Sequence, residues 1–193
     1  STGVLRPAQA VLFAAFFNFV AIFVFHLSVA ATVGKGIAQP GVVDVHVIFG
    51  ALTGAITWNV ITWLYGIPSS SSHALIGGIV GAVMAKAGAG ALIASGLVRT
   101  VTFIFVSPLL GFVFGSLMMV LVAWVFRRVS PSRVDRWFRR AQLVSAGAYS
   151  LGHGGNDAQK TIGITWMLLI STGYAASTDA APPSWTIVAC YAA

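Results

Sequence analysis

At 193 residues the chain has the length of one or two soluble domains, but 58% hydrophobic residues, 8% charged residues and a mean hydropathy of +0.90 leave too little polar surface to clothe one. The 11 Lys and Arg against 4 Asp and Glu give a net charge of +7, concentrated in one short stretch rather than spread along a nucleic-acid-binding face. Cys190 is the only cysteine, so an intrachain disulfide is excluded along with a soluble globular fold and a disordered chain.

Charge-free runs set out the elements. Pro7–Gly34 carries no Lys, Arg, Asp or Glu over 28 residues, Val45–Ala85 none over 41, and Val101–Phe126 none over 26. A helix crossing a ~30 Å hydrocarbon core needs about 20 residues, so each run is long enough and the second has room for two passes. The ten-residue alternation of an outer-membrane barrel is missing, and in lipid such runs satisfy their backbone as helices. The fold class expected is an all-α integral membrane protein, a polytopic helical bundle with broken helices. In the first run Asn18 and His26, eight apart, suit a helix–helix hydrogen bond better than a ligand role. Lys35 and Asp44 cancel, His46 suits an interface, and Lys86 with Arg99 makes a mildly basic connection. Pro108 with Gly111 and Gly115 predicts a kinked, closely packed span, and the 13 Phe and 6 Trp suit lipid-facing and interfacial positions.

The second run is interrupted at Gly66-Ile67-Pro68-Ser69-Ser70-Ser71-Ser72-His73. Pro68 ends or kinks a helix arriving from Trp63-Leu64-Tyr65, and the serines after it are good N-caps for a new helix beginning near 70–73. The free N–H groups of that start, with up to four hydroxyls, suit an anion within the bilayer. A small-residue serine cluster packing two helices together is the alternative.

Next comes the basic stretch: Arg127, Arg128, Arg133, Arg136, Arg139 and Arg140 against the single Asp135. Pro131, with Ser130, Ser132 and Asp135, predicts a break in regular helix, and 127–140 is expected as a cytoplasmic loop by the positive-inside bias. The pair Trp137-Phe138 suits the headgroup region beside anionic lipid. A basic helix for nucleic acid or a calmodulin-like partner is the weaker reading.

A second polar interruption follows at Ser150-Leu151-Gly152-His153-Gly154-Gly155-Asn156-Asp157-Ala158-Gln159-Lys160-Thr161, between apolar 141–151 and 162–170. Three glycines within four positions predict an unwound segment with freed carbonyls and close backbone approach at Gly155. Asp157 inside the bilayer needs a partner: a bound cation, a proton, or Lys160 one turn on. Asn156 and Gln159 add neutral oxygens, so Asn156, Asp157 and Gln159 are the expected cation set. His73 and His153 are candidates for proton shuttling. His153 and Asp157 would supply only half of a metal site, with no third ligand nearby in sequence, so no metal is expected. The substrate set expected is Ser69, Ser70, Ser71, Ser72, Gly155, Lys160 and Thr161.

The motifs Gly152–Lys160 and Pro68–His73, with the opening Ser1-Thr2-Gly3-Val4-Leu5-Arg6-Pro7-Ala8-Gln9-Ala10, resemble the inorganic phosphate transporter (PiT) family. The resemblance implies an inverted-repeat transporter in which each repeat has an Asn-Asp motif and a Pro-Ser helix break. Asn156-Asp157 then corresponds to the second repeat's acidic motif and 68–73 to the first repeat's serine motif, with 1–126 from the first repeat and 141–193 the truncated start of the second. Ser171-Thr172-Gly173 echoes Ser1-Thr2-Gly3. With no initiator Met and an apolar end at 185–193, the chain reads as a fragment; Asp179 with Pro182-Pro183 suits an extracytoplasmic connection.

What the resemblance implies is symport of inorganic phosphate, free or as a metal–phosphate complex, with H⁺ or Na⁺ and no other cofactor. Its setting is a lipid bilayer, the bacterial inner membrane, with no nucleic acid and with a homo-oligomer as a further expectation. Sulfate suits the same donors. A channel would need a continuous polar face or carbonyl filter, a pump a nucleotide-binding loop, and a membrane enzyme of the esterase type a G-x-S-x-G elbow beside His153-Gly154-Gly155. None of these is in the sequence.

Overall fold

The computed structural model describes residues 3–24, 27–39, 41–176 and 181–192, and Ser28 by its backbone only. Among them the chain forms seven α-helices: α1 (Pro7–Val20), α2 (Ser28–Lys35), α3 (Val45–Leu64), α4 (Ser71–Ala87), α5 (Ala94–Phe126), α6 (Pro131–Ser171) and α7 (Ser184–Ala192). Two short 3₁₀ turns, at Ala21–Phe23 and Ala89–Ala91, complete the regular structure. The all-helical expectation holds, and α3 and α5 are each long and apolar enough to cross a membrane. The first charge-free run, expected to hold one span, divides into α1, the Ala21–Phe23 turn and α2. His26 and Asp179 lie outside the described residues, so the pairing of His26 with Asn18 and the Asp179 connection do too.

Two compact units emerge, Ser1–Val24 with Arg99–Gly154 and Phe25–Val98 with Gly155–Ala193. In the first, Pro7 opens α1 at a position where a missing N–H costs nothing, and the Gln9 side chain caps the Arg6 N–H at 3.2 Å. α5 is apolar all round and has no buried residue, as a helix in lipid is built. Pro108 lies within the continuous helix.

The basic stretch breaks the helix where the sequence reading expects, but more briefly. Only Arg127–Ser130 is non-helical; Pro131 starts α6 and Arg133, Arg136, Arg139 and Arg140 are on its first three turns. The physical reason is positional: Pro breaks a helix interior but is favoured in a first turn, where its fixed φ is already helical. Arg139 pairs with Asp135 at 2.9 Å across one turn, and Arg127 lies over the Trp124 ring. Phe126 meets Trp137 and Phe138 edge-on, closing the corner between α5 and α6.

In the second unit α3 and α4 form an antiparallel hairpin that holds the core. Ile79 and Val83 of α4 are buried with Val47, Ile48 and Ala51 of α3, together with Val33 of α2 and Met167 of α6. The helices approach closely where a Cβ on Gly78 would fall 2.3 Å from the Ala51 carbonyl oxygen. α2 meets α6 in the same manner: a Cβ on Gly163 would fall 2.8 Å from Val33 Cβ. Trp166 fills the space beside this contact at 1% exposure, with the Lys35 ammonium over its ring. A short extended pairing joins 37–39 to 91–93, through Gln39 N–H to Ala91 O and Ile93 N–H to Ile37 O, both 2.9 Å.

The hairpin is tied at its open end by charge. Asp44 caps α3 by accepting from the Val47 N–H at 2.9 Å, and Lys86 near the end of α4 reaches Asp44 at 2.8 Å and Val42 O at 2.9 Å. The Lys86 ammonium, helped by the Val47 N–H, holds the Asp44 carboxyl down at about 2.

Candidate functional site

The site begins with the turn joining α3 to α4. α3 stops at Leu64, Gly66 takes φ +66°, and Pro68 blocks any return to helix before Ser71. The positive φ there is a conformation that a side chain resists. Ser70 is the N-cap of α4, its hydroxyl accepting from the His73 N–H at 3.4 Å, in the place the sequence predicted. Ser69 accepts from the indole N–H of Trp58 at 3.2 Å, fastening the turn to α3. Two of the four serines are thus committed to shaping the break, and the next two begin the helix that follows it.

The second interruption is not one. Residues 150–161 lie inside α6, an uninterrupted helix of 41 residues, so the expected unwinding and its freed carbonyls do not occur. Glycine lowers helix propensity by about 1 kcal/mol but forbids nothing, whereas proline removes a donor and clashes. Here glycine serves contact. A Cβ on Gly154 would fall 2.6 Å from Asn18 Cα, and one on Gly147 3.0 Å from the Phe17 ring. Asn18 is accordingly packed against α6, and its buried Oδ1 has no hydrogen-bond partner among the described residues.

Continuity of α6 decides where its polar residues point. At 3.6 residues per turn, 157, 160, 161, 164, 165 and 168 share one face, while 159 and 163 lie on another. The expected cation set therefore does not converge. Gln159 is turned to α2, 3% exposed, with its Oε1 accepting from the Val29 N–H at 3.0 Å, where it caps an otherwise unsatisfied donor of the α2 first turn. Asn156 is exposed on a flank, and Gly155 is buried.

The face carrying Asp157 does converge with α3 and α4. A cavity of about 530 Å³ is lined by Ala55, Ile56 and Asn59 of α3, Ser71, Ser72 and Leu75 of α4, and Asp157, Lys160, Thr161, Ile164, Thr165 and Leu168 of α6, with Ile48 and Leu52 at its apolar end. Polarity is graded along it: Asn59, the start of α4 and the 157–161 turn make one end polar, and aliphatic side chains make the other. Lys160 donates to the Ser72 hydroxyl at 2.6 Å and is ion-paired with Asp157. The Lys160 side chain is 16% exposed and that of Asp157 49%. The Thr161 and Thr165 hydroxyls donate back to the carbonyls of Asp157 and Thr161, leaving oxygen lone pairs as acceptors.

Of the expected substrate set, Ser71, Ser72, Lys160 and Thr161 line this cavity; Ser69, Ser70 and Gly155 do not. Neither histidine does. His73 lines a separate cavity of about 560 Å³ with Gly50, Gly54, Trp58 and Gly77, and His153 stacks on Tyr149 with ring centroids 5.7 Å apart. Asn59 and Thr165 are members that sequence reasoning missed. Asn59 carried a signal, as the sole carboxamide in a 41-residue charge-free run; Thr165 carried none beyond its place one turn after Thr161.

Chemically, the polar end offers an ammonium, two hydroxyls and a helix N-terminus to an anion, with a carboxylate alongside for a cation. Comparison with known proteins bears on which ions these are. The phosphate transporter family matches residues 1–193. A "Probable low-affinity inorganic phosphate transporter" of Rhizobium meliloti (strain 1021) is 55% identical over 100% of this chain and 58% of its own length. One of the same description from Mycobacterium tuberculosis (strain ATCC 25618 / H37Rv) is 44% identical over 98% of this chain and 46% of its own. The chain thus spans about half the length of the curated relatives it matches. A solved structure titled "The sodium-dependent phosphate transporter" superposes with a TM-score of 0.85 at 18% identity, over 99% of this chain and 66% of that one, which establishes the fold.

Proposed function

The chain belongs to the phosphate transporter family, a family of membrane transporters rather than enzymes, and from that premise we propose that it forms part of a symporter that carries inorganic phosphate across a bilayer together with H⁺ or Na⁺. The observation that carries this reading is the Lys160–Ser72 hydrogen bond beside Asp157 at the polar end of the α3–α4–α6 cavity. An oxyanion is held there by the Lys160 ammonium, the Ser71 and Ser72 hydroxyls and the unsatisfied N–H groups opening α4. Asp157 holds the coupling cation, with the Thr161 hydroxyl oxygen and Asn59 as neutral donors. Asn156 and Gln159 are left out of that cation site because α6 turns them elsewhere.

The same reading assigns 1–126 to a first repeat and 141–193 to the start of a second. It sets the Arg127–Arg140 stretch on the cytoplasmic side of a bacterial plasma membrane, where six arginines meet anionic lipid.

The test is radiolabelled phosphate uptake into proteoliposomes containing the full-length transporter, with a Na⁺ gradient or a pH gradient imposed separately. Uptake driven by one gradient establishes phosphate symport and names the ion. Comparing uptake with and without a divalent cation separates free phosphate from a metal–phosphate complex. No phosphate uptake under either gradient, with sulfate accumulating in parallel assays, overturns the substrate.

A further inference from the structure

The α3–α4–α6 cavity is larger than a five-atom ion requires. At about 530 Å³ it falls among cavities that take drug-sized molecules, roughly 300–1,000 Å³, and its donors and its aliphatic lining stand at opposite ends. Building on the reading of the polar end as the phosphate site, we propose that the cavity also binds short alkylphosphonates. The phosphonate head takes the phosphate donors and the unbranched chain runs along the aliphatic lining.

Three observations carry the inference. The first is the placement of donors. Asn59, Lys160, Ser71, Ser72 and the N–H groups opening α4 are gathered at one end. Ile48, Leu52, Leu75, Ile164 and Leu168 line the other, and none of these brings a side-chain donor. The Thr165 hydroxyl between the two ends gives its hydrogen to the Thr161 carbonyl. A tetrahedral head that turns three oxygens toward donors on one side points its fourth substituent away from them. An oxygen aimed at aliphatic lining is disfavoured, whereas a carbon there loses no hydrogen bond and a chain on it leaves water.

The second is apolar surface that the core does not consume. Leu52 is 37% exposed and Ile56 is 61% exposed, and both line the cavity. The third is length. Thr161 and Leu168 are seven residues apart on α6, which sets the apolar reach beyond the head at about 10 Å at 1.5 Å per residue. A lipid acyl chain spans one leaflet of a ~30 Å hydrocarbon core, or about 15 Å. The cavity therefore suits a soluble phosphonate with a chain of a few carbons rather than a phospholipid.

The experiment uses the full-length transporter in phosphatidylcholine nanodiscs. Methyl-, propyl-, pentyl- and nonylphosphonate compete with radiolabelled phosphate for binding, in the wild type, Leu52→Asn and Ile56→Asn. Each methylene that leaves water adds about threefold, so the wild-type inhibition constant is expected to fall at least about thirtyfold from methyl to pentyl. The chain then outruns the lining, and nonyl is expected to gain less than about threefold more. In L52N the methyl-to-pentyl gain is expected to shrink at least about fivefold, with phosphate and methylphosphonate binding within about twofold of wild type. Ile56→Asn, at the more exposed position, gives the same readout if L52N fails to insert.

Inhibition constants that stay level along the series overturn the proposal and mean that another helix of the full-length transporter closes the apolar end. A gain that both variants leave intact, or that continues undiminished to nonyl, also overturns it, because the chain then lies in the bilayer. Those results differ from failure of the underlying reading, in which labelled phosphate itself does not bind.

Discussion

The stretches 66–72 and 150–161 present the same face to a sequence reader, each a polar, small-residue interruption within an apolar run, yet the first breaks its helix and the second does not. The difference is between compulsion and permission. Pro68 cannot donate to a helical carbonyl and clashes with the preceding turn, and Gly66 supplies the positive φ that lets the chain reverse. Gly152, Gly154 and Gly155 only make unwinding cheaper, and the tertiary contacts of α6 settle the matter for helix. A true break presents backbone donors to a ligand; an intact helix sorts its side chains by angle. The cavity uses both, taking the helix start from the first stretch and the Asp157–Lys160 pair from one face of the second.

The sharpest test of this division removes the acid on the sorted face. Asp157→Asn in the full-length transporter is expected to abolish coupled uptake while membrane insertion and thermal stability in detergent stay near wild type. Normal uptake by that variant breaks the cation assignment. On the other stretch, Ser72→Ala is expected to weaken phosphate affinity by about tenfold, the scale of one hydrogen bond to a charged group, with Ser69→Ala leaving affinity within about twofold. Equal losses at both positions, in a phosphate-binding titration, would mean that the serines act only by shaping the turn.

Glycine substitutions probe permission directly. Gly154→Ala drives a methyl group into Asn18 backbone and is expected to destabilise by about 1–3 kcal/mol, as overpacking does. Gly152→Ala meets nothing within 4 Å and is expected to stabilise by roughly 0.5–1 kcal/mol with uptake retained. Loss of uptake in Gly152→Ala with unchanged stability would show that α6 has to unwind during transport.

Much of this was legible in sequence, and what was not has a common cause. The second and third charge-free runs announced α3 and α5 because the bilayer imposes a length, whereas the first divides, and Pro68-Ser69-Ser70 announced the break because capping and proline chemistry are local. The resemblance carried by 68–73 and 152–160 agrees with the family match over the whole chain. Asn156, Asp157 and Gln159 read as one cluster because adjacency in sequence looks like adjacency in space; in a continuous helix it is the opposite, and Gln159 ends on Val29. Asn59, for all its signal as a lone carboxamide, and Thr165, which had none, reach the cavity only through the packing of α3 against α4 and α6. Pro131 does follow a break, but it also opens α6 at once, a role that depends on the helix that follows it.

The smallest effect lies at the other end of the hairpin. A turn as constrained as 66–70 holds its geometry only if α3 and α4 stay together where they are not joined, and there the Asp44–Lys86 pair ties the start of one to the end of the other. Asp44 is held at about 2, below its ordinary 3.8, chiefly by the Lys86 hydrogen bond. A carboxylate depressed in the folded state contributes above its unfolded value and loses that contribution as pH falls through the folded one. Because the pair is exposed to solvent and screened, Asp44→Asn is expected to lower Tm by only about 2 °C at pH 7. The gap between variant and wild type should hold down to about pH 4, close between pH 4 and pH 2, and shrink in high salt. No gap between variant and wild type at pH 7 would move the contribution of Asp44 from its charge to its capping bond with the Val47 N–H, which asparagine also makes.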